Sequence, residues 1–215
     1  MAELAESLPA RFPVFPLSGA LLLPGGNLPL NIFEPRYLQM VRDAMRTEQV
    51  IGMIQPREPE VGGEPPPLFR TGCVGRIASC SETEDGRLEI MLSGVCRFDV
   101  ARELEVDTPY RQVVGDFTRW RQDRQPEAPP AELKEPLLEA LRLYFERQGI
   151  EADWEAIDEA PLGGLVTSLA MICPFEPNEK QALLEAPDLT RQARLLTALM
   201  RMDALSDAEA SATRH

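Results

Sequence analysis

The chain has 215 residues, 44% of them hydrophobic, which is enough for a substantial core, and 35 acidic against 22 basic residues give a formal charge of -13. That sign opposes adhesion to polyphosphate or anionic lipid, so neither nucleic acid nor a membrane surface is an expected partner. Cys73, Cys80, Cys96 and Cys173 match no CxxC spacing and read as buried thiols, and neither a metal nor a cofactor is expected.

Residues 1–11 read as an N-terminal arm. Their start is acidic and lacks the charged-then-apolar pattern of an export signal, which points to a cytoplasmic protein. Between positions 12 and 30 the apolar residues are interrupted by Pro13, Pro16, Pro24, Gly25, Gly26 and Pro29, so no uninterrupted membrane helix fits. From 12 to 124 the punctuation is that of a β-rich domain. One helix interrupts it: Pro35 suits a first helical position, and Tyr37, Leu38, Val41, Ala44 and Met45 follow at three-to-four spacing to about residue 47. Residues 50–54 read as the next strand. Residues 55–67, rich in proline with Gly62 and Gly63, read as an exposed loop long enough to be mobile or functional.

The clearest strand covers residues 88–100. Leu88, Ile90, Leu92, Gly94, Cys96, Phe98 and Val100 alternate onto one buried face, which leaves Glu89, Ser93, Arg97 and Asp99 on the other. Asp85-Gly86 links it to a strand over 73–81, a turn pair in which both residues tolerate positive φ. Gly94 permits the bend of a barrel. A last β-like run spans 110–120.

A proline-rich linker at 125–130 then marks a change of period. Leu133, Leu137, Leu141, Tyr144 and Phe145 follow helical spacing up to Gly149, and residues 162–172 and 179–184 read as further helices. Asp188 precedes a last amphipathic helix with Ala193, Leu196, Leu199, Met200 and Met202. Residues 131–202 thus form a helical subdomain, and 203–215 a polar, fraying tail.

Catalytic constellations are missing from the sequence. Lys134 and Lys180 are followed by Glu135 and Gln181, so neither completes a P-loop. The single histidine is His215 at the terminus, a poor place for the base of a Ser-His-Asp triad. A Ser-Lys dyad would need one of the two lysines, and both read as solvated on helix surfaces. Carboxylates are plentiful but form no distinctive pair. The expectation is a protein that is not an enzyme.

Several runs, taken in order, resemble the amino-terminal substrate-binding domain of Lon proteases from residue 12 to about 202. They are Phe15-Pro16-Leu17 with Pro24-Gly25, Ile32-Phe33-Glu34-Pro35-Arg36-Tyr37, Gly72-Cys73-Val74-Gly75-Arg76-Ile77, Asp85-Gly86 through Gly94, and Cys173-Pro174-Phe175 through Glu179-Lys180-Gln181-Ala182-Leu183-Leu184. The resemblance implies an α+β fold: a PUA-like β-pseudo-barrel with one inserted helix, followed by a C-terminal helical bundle. It also implies recognition of unfolded or flexible polypeptide, or of a protein of a proteolytic system, in a stand-alone member without room for ATPase and protease domains. A homo-oligomer is compatible with it.

The candidate polypeptide-binding surface is Leu21, Leu22, Leu23, Leu28, Phe33, Arg36, Tyr37, Pro65, Pro66 and Leu68. Phe33, Arg36 and Tyr37 read first as anchors of their helix and only second as ligand contacts. Two other classes are alternatives: an RNA-binding PUA-like protein and a small-molecule hydrolase using carboxylates.

Overall fold

A computed structural model describes residues 8–58 and 65–212, with the side chains of the last helix described as far as residue 204. Among the described residues six strands come first: β1 (Arg11–Pro16), β2 (Asn27–Ile32), β3 (Val50–Ile54), β4 (Thr71–Glu82), β5 (Leu88–Glu103) and β6 (Gln112–Asp116). Helix α1 (Pro35–Met45) is inserted after β2, with Pro35 in its first turn as its fixed φ favours. A 3-10 segment, Thr118–Arg124, replaces the end of the β-like run predicted to reach residue 120. Five more helices follow: α2 (Lys134–Gln148), α3 (Trp154–Glu159), α4 (Leu162–Ile172), α5 (Pro177–Glu185) and α6 (Leu189–Ala212). The last helix therefore continues beyond Met202, where the apolar spacing stops, and α3 is an element the periodicity did not mark.

The strands form one mixed sheet in the order β2-β5-β4-β3-β1-β6, and β6 also pairs with β5, so the ladder returns on itself. Only β1 and β3 are parallel among these pairs. The long β5 makes closure possible: its first half pairs with β2 and its last residues pair with β6, while β4 runs alongside both. Its turn with β4 differs from the expected form. Only Gly86 takes a positive φ, with its N–H donating to the Thr83 carbonyl.

A bulge corrects the single buried face expected of β5. Val74 pairs with Cys96 and Gly75 with Gly94, leaving Val95 as the extra residue. The alternate positions consequently enter different cores: Leu88, Ile90 and Leu92 pack with the helices, whereas Phe98 joins Phe12, Val14, Val50, Ile54, Val74 and Val113. Gly94 lies so close to the Leu23 carbonyl that no Cβ would fit. Arg97 and Asp99, expected on an open face, are buried.

The larger core runs without interruption from sheet to helices, joining Phe15, Met40 and Ile51 to Leu137, Leu141, Val166, Leu183 and Leu196. Polar side chains fix the same junction. The Arg97 guanidinium donates to both Asp123 carboxylate oxygens and to the carbonyls of Leu184, Ala186 and Pro187, and it lies 4.0 Å from the Trp120 ring centroid. Gln55 Nε2 donates to the Pro177 carbonyl (2.9 Å) and to Gln181 Oε1 (3.2 Å), and Gln181 Nε2 donates to the Thr71 carbonyl (3.2 Å). Among the described residues no helix is long and apolar enough to cross a membrane.

Candidate functional site

A groove of about 750 Å³ opens beside the start of α1, where β1 and β2 end. One wall is Phe33, Glu34, Arg36 and Tyr37, where β2 turns into the helix. The opposite wall is the β5–β6 connection, residues 103–111, and Pro56, Pro65 and Pro66 close one side. Tyr37 is the inner edge: it is 6% exposed, with its ring centroid 4.3 Å from that of Phe15. Phe33, four residues earlier, is 62% exposed and stands at the rim. A large aromatic ring left in water beside a concave surface is what a binding surface presents.

The two walls are joined by polar contacts. The Tyr110 hydroxyl donates to Asp43 Oδ2 of α1 at 3.0 Å, and burial together with this bond pushes the phenol up to about 12. Arg111 pairs with Glu103 and donates from Nη1 to the Pro66 carbonyl at 2.7 Å, which fixes the proline edge to the loop. On the other wall Arg36 Nε meets Glu34 Oε2 at 3.0 Å.

Of the ten candidate surface residues, Phe33, Arg36, Tyr37, Pro65 and Pro66 converge on this groove. Leu21, Leu22 and Leu23 do not: they are 2%, 1% and 1% exposed and belong to the larger core. A leucine triplet without strand or helix period was readable as surface, but close-packed neighbours from sheet and helices cover it. Leu28 packs against that same core and Leu68 against the smaller one. Residues 59–64 of the proline-rich loop lie outside the described residues.

Sequence reasoning missed the second wall, Leu104, Val106, Pro109 and Tyr110. Its signal was present in the apolar-polar alternation from Leu104 to Asp107, which Thr108-Pro109 cuts short before it reaches strand length.

A second cleft, about 790 Å³, follows the seam between sheet and helices and includes Arg97, Asp123, Thr167 and Gln192. Its charged pair is mutually satisfied, and Gln192 donates to the Leu183 carbonyl, so this polar lining serves the junction.

The lysines also settle into structural roles. Lys180, expected on a solvated surface, is 7% exposed and donates to the carbonyls of Gly19 (2.8 Å) and Met171 (3.4 Å). Burial lowers its pKa from the ordinary value. Lys134 donates to the carbonyls of Asp158 and Ala160. Cys73, Cys96 and Cys173 are buried as expected, and Cys80 is exposed. Burial pushes Cys96 and Cys173 up to about 11, values at which neither is a nucleophile near neutrality. Among the described residues no group of three or more His, Cys, Asp or Glu could hold a metal ion.

Comparison with known proteins gives one answer. The family profile of the ATP-dependent protease La (LON) substrate-binding domain matches residues 11–202. The chain is 28% identical over 199 residues to a Lon protease of Anaeromyxobacter dehalogenans and 28% identical over 199 residues to Lon protease 2 of Myxococcus xanthus, with 91% of this chain covered in each case. It spans about a quarter of these relatives, 23% and 24% of their lengths. Among solved structures, a Lon N-terminal domain protein from Xanthomonas campestris superposes with a TM-score of 0.63 at 26% identity, over 87% of this chain and 97% of the other. The N-terminal domain of a Mycobacterium avium complex Lon protease gives 0.61 at 19% identity, over 92% and 98%, a likeness of fold.

Proposed function

Because the chain belongs to the LON substrate-binding domain family, we propose that it is a polypeptide-recognition module without chemistry of its own, and that the Phe33 groove receives an exposed or unfolded segment. On this reading the ring of strands is the family's PUA-like pseudo-barrel, and residues 131–202 are its helical bundle. The protein then works in the cytoplasm as an adaptor or regulator that delivers polypeptide to a proteolytic system. The observation that carries the proposal is Phe33, exposed at the rim of a groove that mixes apolar and charged side chains and whose walls come from two separate parts of the chain. Tolerant recognition is supported by an aromatic and proline contact area that demands no single sequence.

The test is binding of a fluorescently labelled, reduced and alkylated protein that cannot refold, followed by anisotropy. Phe33→Ala should weaken binding by about fivefold to thirtyfold, the usual cost of truncating an aromatic anchor. Its urea midpoint should stay at the wild-type value because the ring is mostly in water already. Equal binding by wild type and the folded variant would remove the groove from the proposal, and no binding by wild type would remove recognition itself.

A further inference from the structure

Resting on that recognition reading, we infer that the groove selects segments in which an apolar anchor is flanked by lysine or arginine. Among the described residues five charged side chains line it: Glu34, Arg36, Glu103, Glu105 and Arg111. Both cations are already committed, Arg36 to Glu34 and Arg111 to Glu103. Arg87, whose guanidinium carbon lies 5.9 Å from the Phe33 ring centroid, is held by Asp85 at 2.8 Å. Glu105 is different: it is exposed on the loop wall between Leu104 and Val106, and it makes no ion pair or hydrogen bond with any described residue.

A bound segment therefore meets an asymmetric rim. A ligand cation finds a free carboxylate beside the apolar lining, whereas a ligand anion finds both guanidiniums of the lining, Arg36 and Arg111, paired and must break an existing contact to gain either. The charge of -13 on the whole chain adds a long-range field of the same sign. Local and global terms can be separated, because only the local one depends on the position of the removed charge.

The experiment uses the full chain and three labelled peptides that share one Phe- and Leu-rich anchor and differ in two flanking residues, both Lys, both Gln or both Glu. At low salt the Lys-flanked peptide should bind about two- to fivefold more tightly than the Gln-flanked one, the range of a half-exposed ion pair, with the Glu-flanked peptide weakest. Raising salt several-fold should compress the series. Glu105→Gln should reduce the Lys-over-Gln preference, and Glu151→Gln, the same charge change at an exposed position outside the groove, should leave it intact. Three peptides bound equally well would overturn the inference while leaving recognition standing. Equal losses from both glutamate variants would also overturn it, by assigning the preference to net charge. Binding of none of the peptides would remove the recognition reading itself.

Discussion

Replacing Asp123 with alanine removes the carboxylate that neutralises Arg97 while leaving its guanidinium buried. In the native protein both side chains are 4% exposed, and Arg97 Nη2 and Asp123 Oδ1 are 2.6 Å apart. The Arg97 backbone N–H also donates to Asp123 Oδ2 at 2.9 Å. After the substitution the guanidinium keeps the carbonyls of Leu184, Ala186 and Pro187 and the Trp120 ring, but no negative charge. Breaking one partner of a buried pair costs about 3–5 kcal/mol. For a chain of this length each kcal/mol lowers Tm by about 2–4 °C, so a fall of roughly 6–20 °C is expected. Urea unfolding followed by circular dichroism gives the free energy directly. The double variant Arg97→Met with Asp123→Leu should be more stable than Asp123→Ala alone, since it leaves no unpaired charge. An Asp123→Ala protein within about 1 kcal/mol of wild type would refute the reasoning, given that exposed pairs rarely exceed that value.

Other outcomes follow from the core, the bulge and the buried acids. Leu22→Ala should cost about 2–5 kcal/mol in urea unfolding, as truncation of a buried leucine does, and a surface-like value under 0.5 kcal/mol would contradict its placement. Gly94→Ala should lower Tm sharply, because its Cβ collides with the Leu23 carbonyl, and an unchanged Tm would mean that this contact relaxes freely. Stability should fall as pH rises from 9 to 11: Cys96 and Cys173 hold their protons to about 11 when folded and release them near 9 when unfolded, so the native state binds more protons in that window. Tyr110 and Tyr144, raised to about 12, extend the fall beyond pH 10, while the lowered Lys180 contributes in the opposite sense. Urea midpoints from pH 8 to 11 measure the net slope, and a rising midpoint would reverse the assignment.

Elements whose signals are local were legible in the sequence. Pro35 and three-to-four spacing marked α1, and Gly149, which takes a left-handed φ of 66°, marked the end of α2. The α4 bounds follow an apolar run flanked by Pro161 and Cys173-Pro174. Features that depend on distant partners were not legible. Arg97 and Asp99 read as solvent-facing because the Trp120 segment that covers them lies over twenty residues later. Lys180 read as ordinary helix surface, yet it and Gln181 in the Glu-Lys-Gln-x-Leu-Leu run bond back to the β domain through Gly19, Gln55 and Thr71. The groove was half legible: the wall beside α1 carries a motif, whereas the 103–111 wall is irregular backbone whose role depends on what it faces.

The pairings of β1 set a timetable for biosynthesis. Val14 finds its β3 partner, Gly52, early, but Phe12 must wait for Val113, a hundred residues later, before the ladder can close. Loop closure over such a span is slow relative to local hairpins. The Leu184, Ala186 and Pro187 carbonyls that secure Arg97 leave the ribosome later still. Until then the nascent chain carries the apolar residues of its larger core uncovered, while the smaller core, all of whose residues precede position 118, can already close.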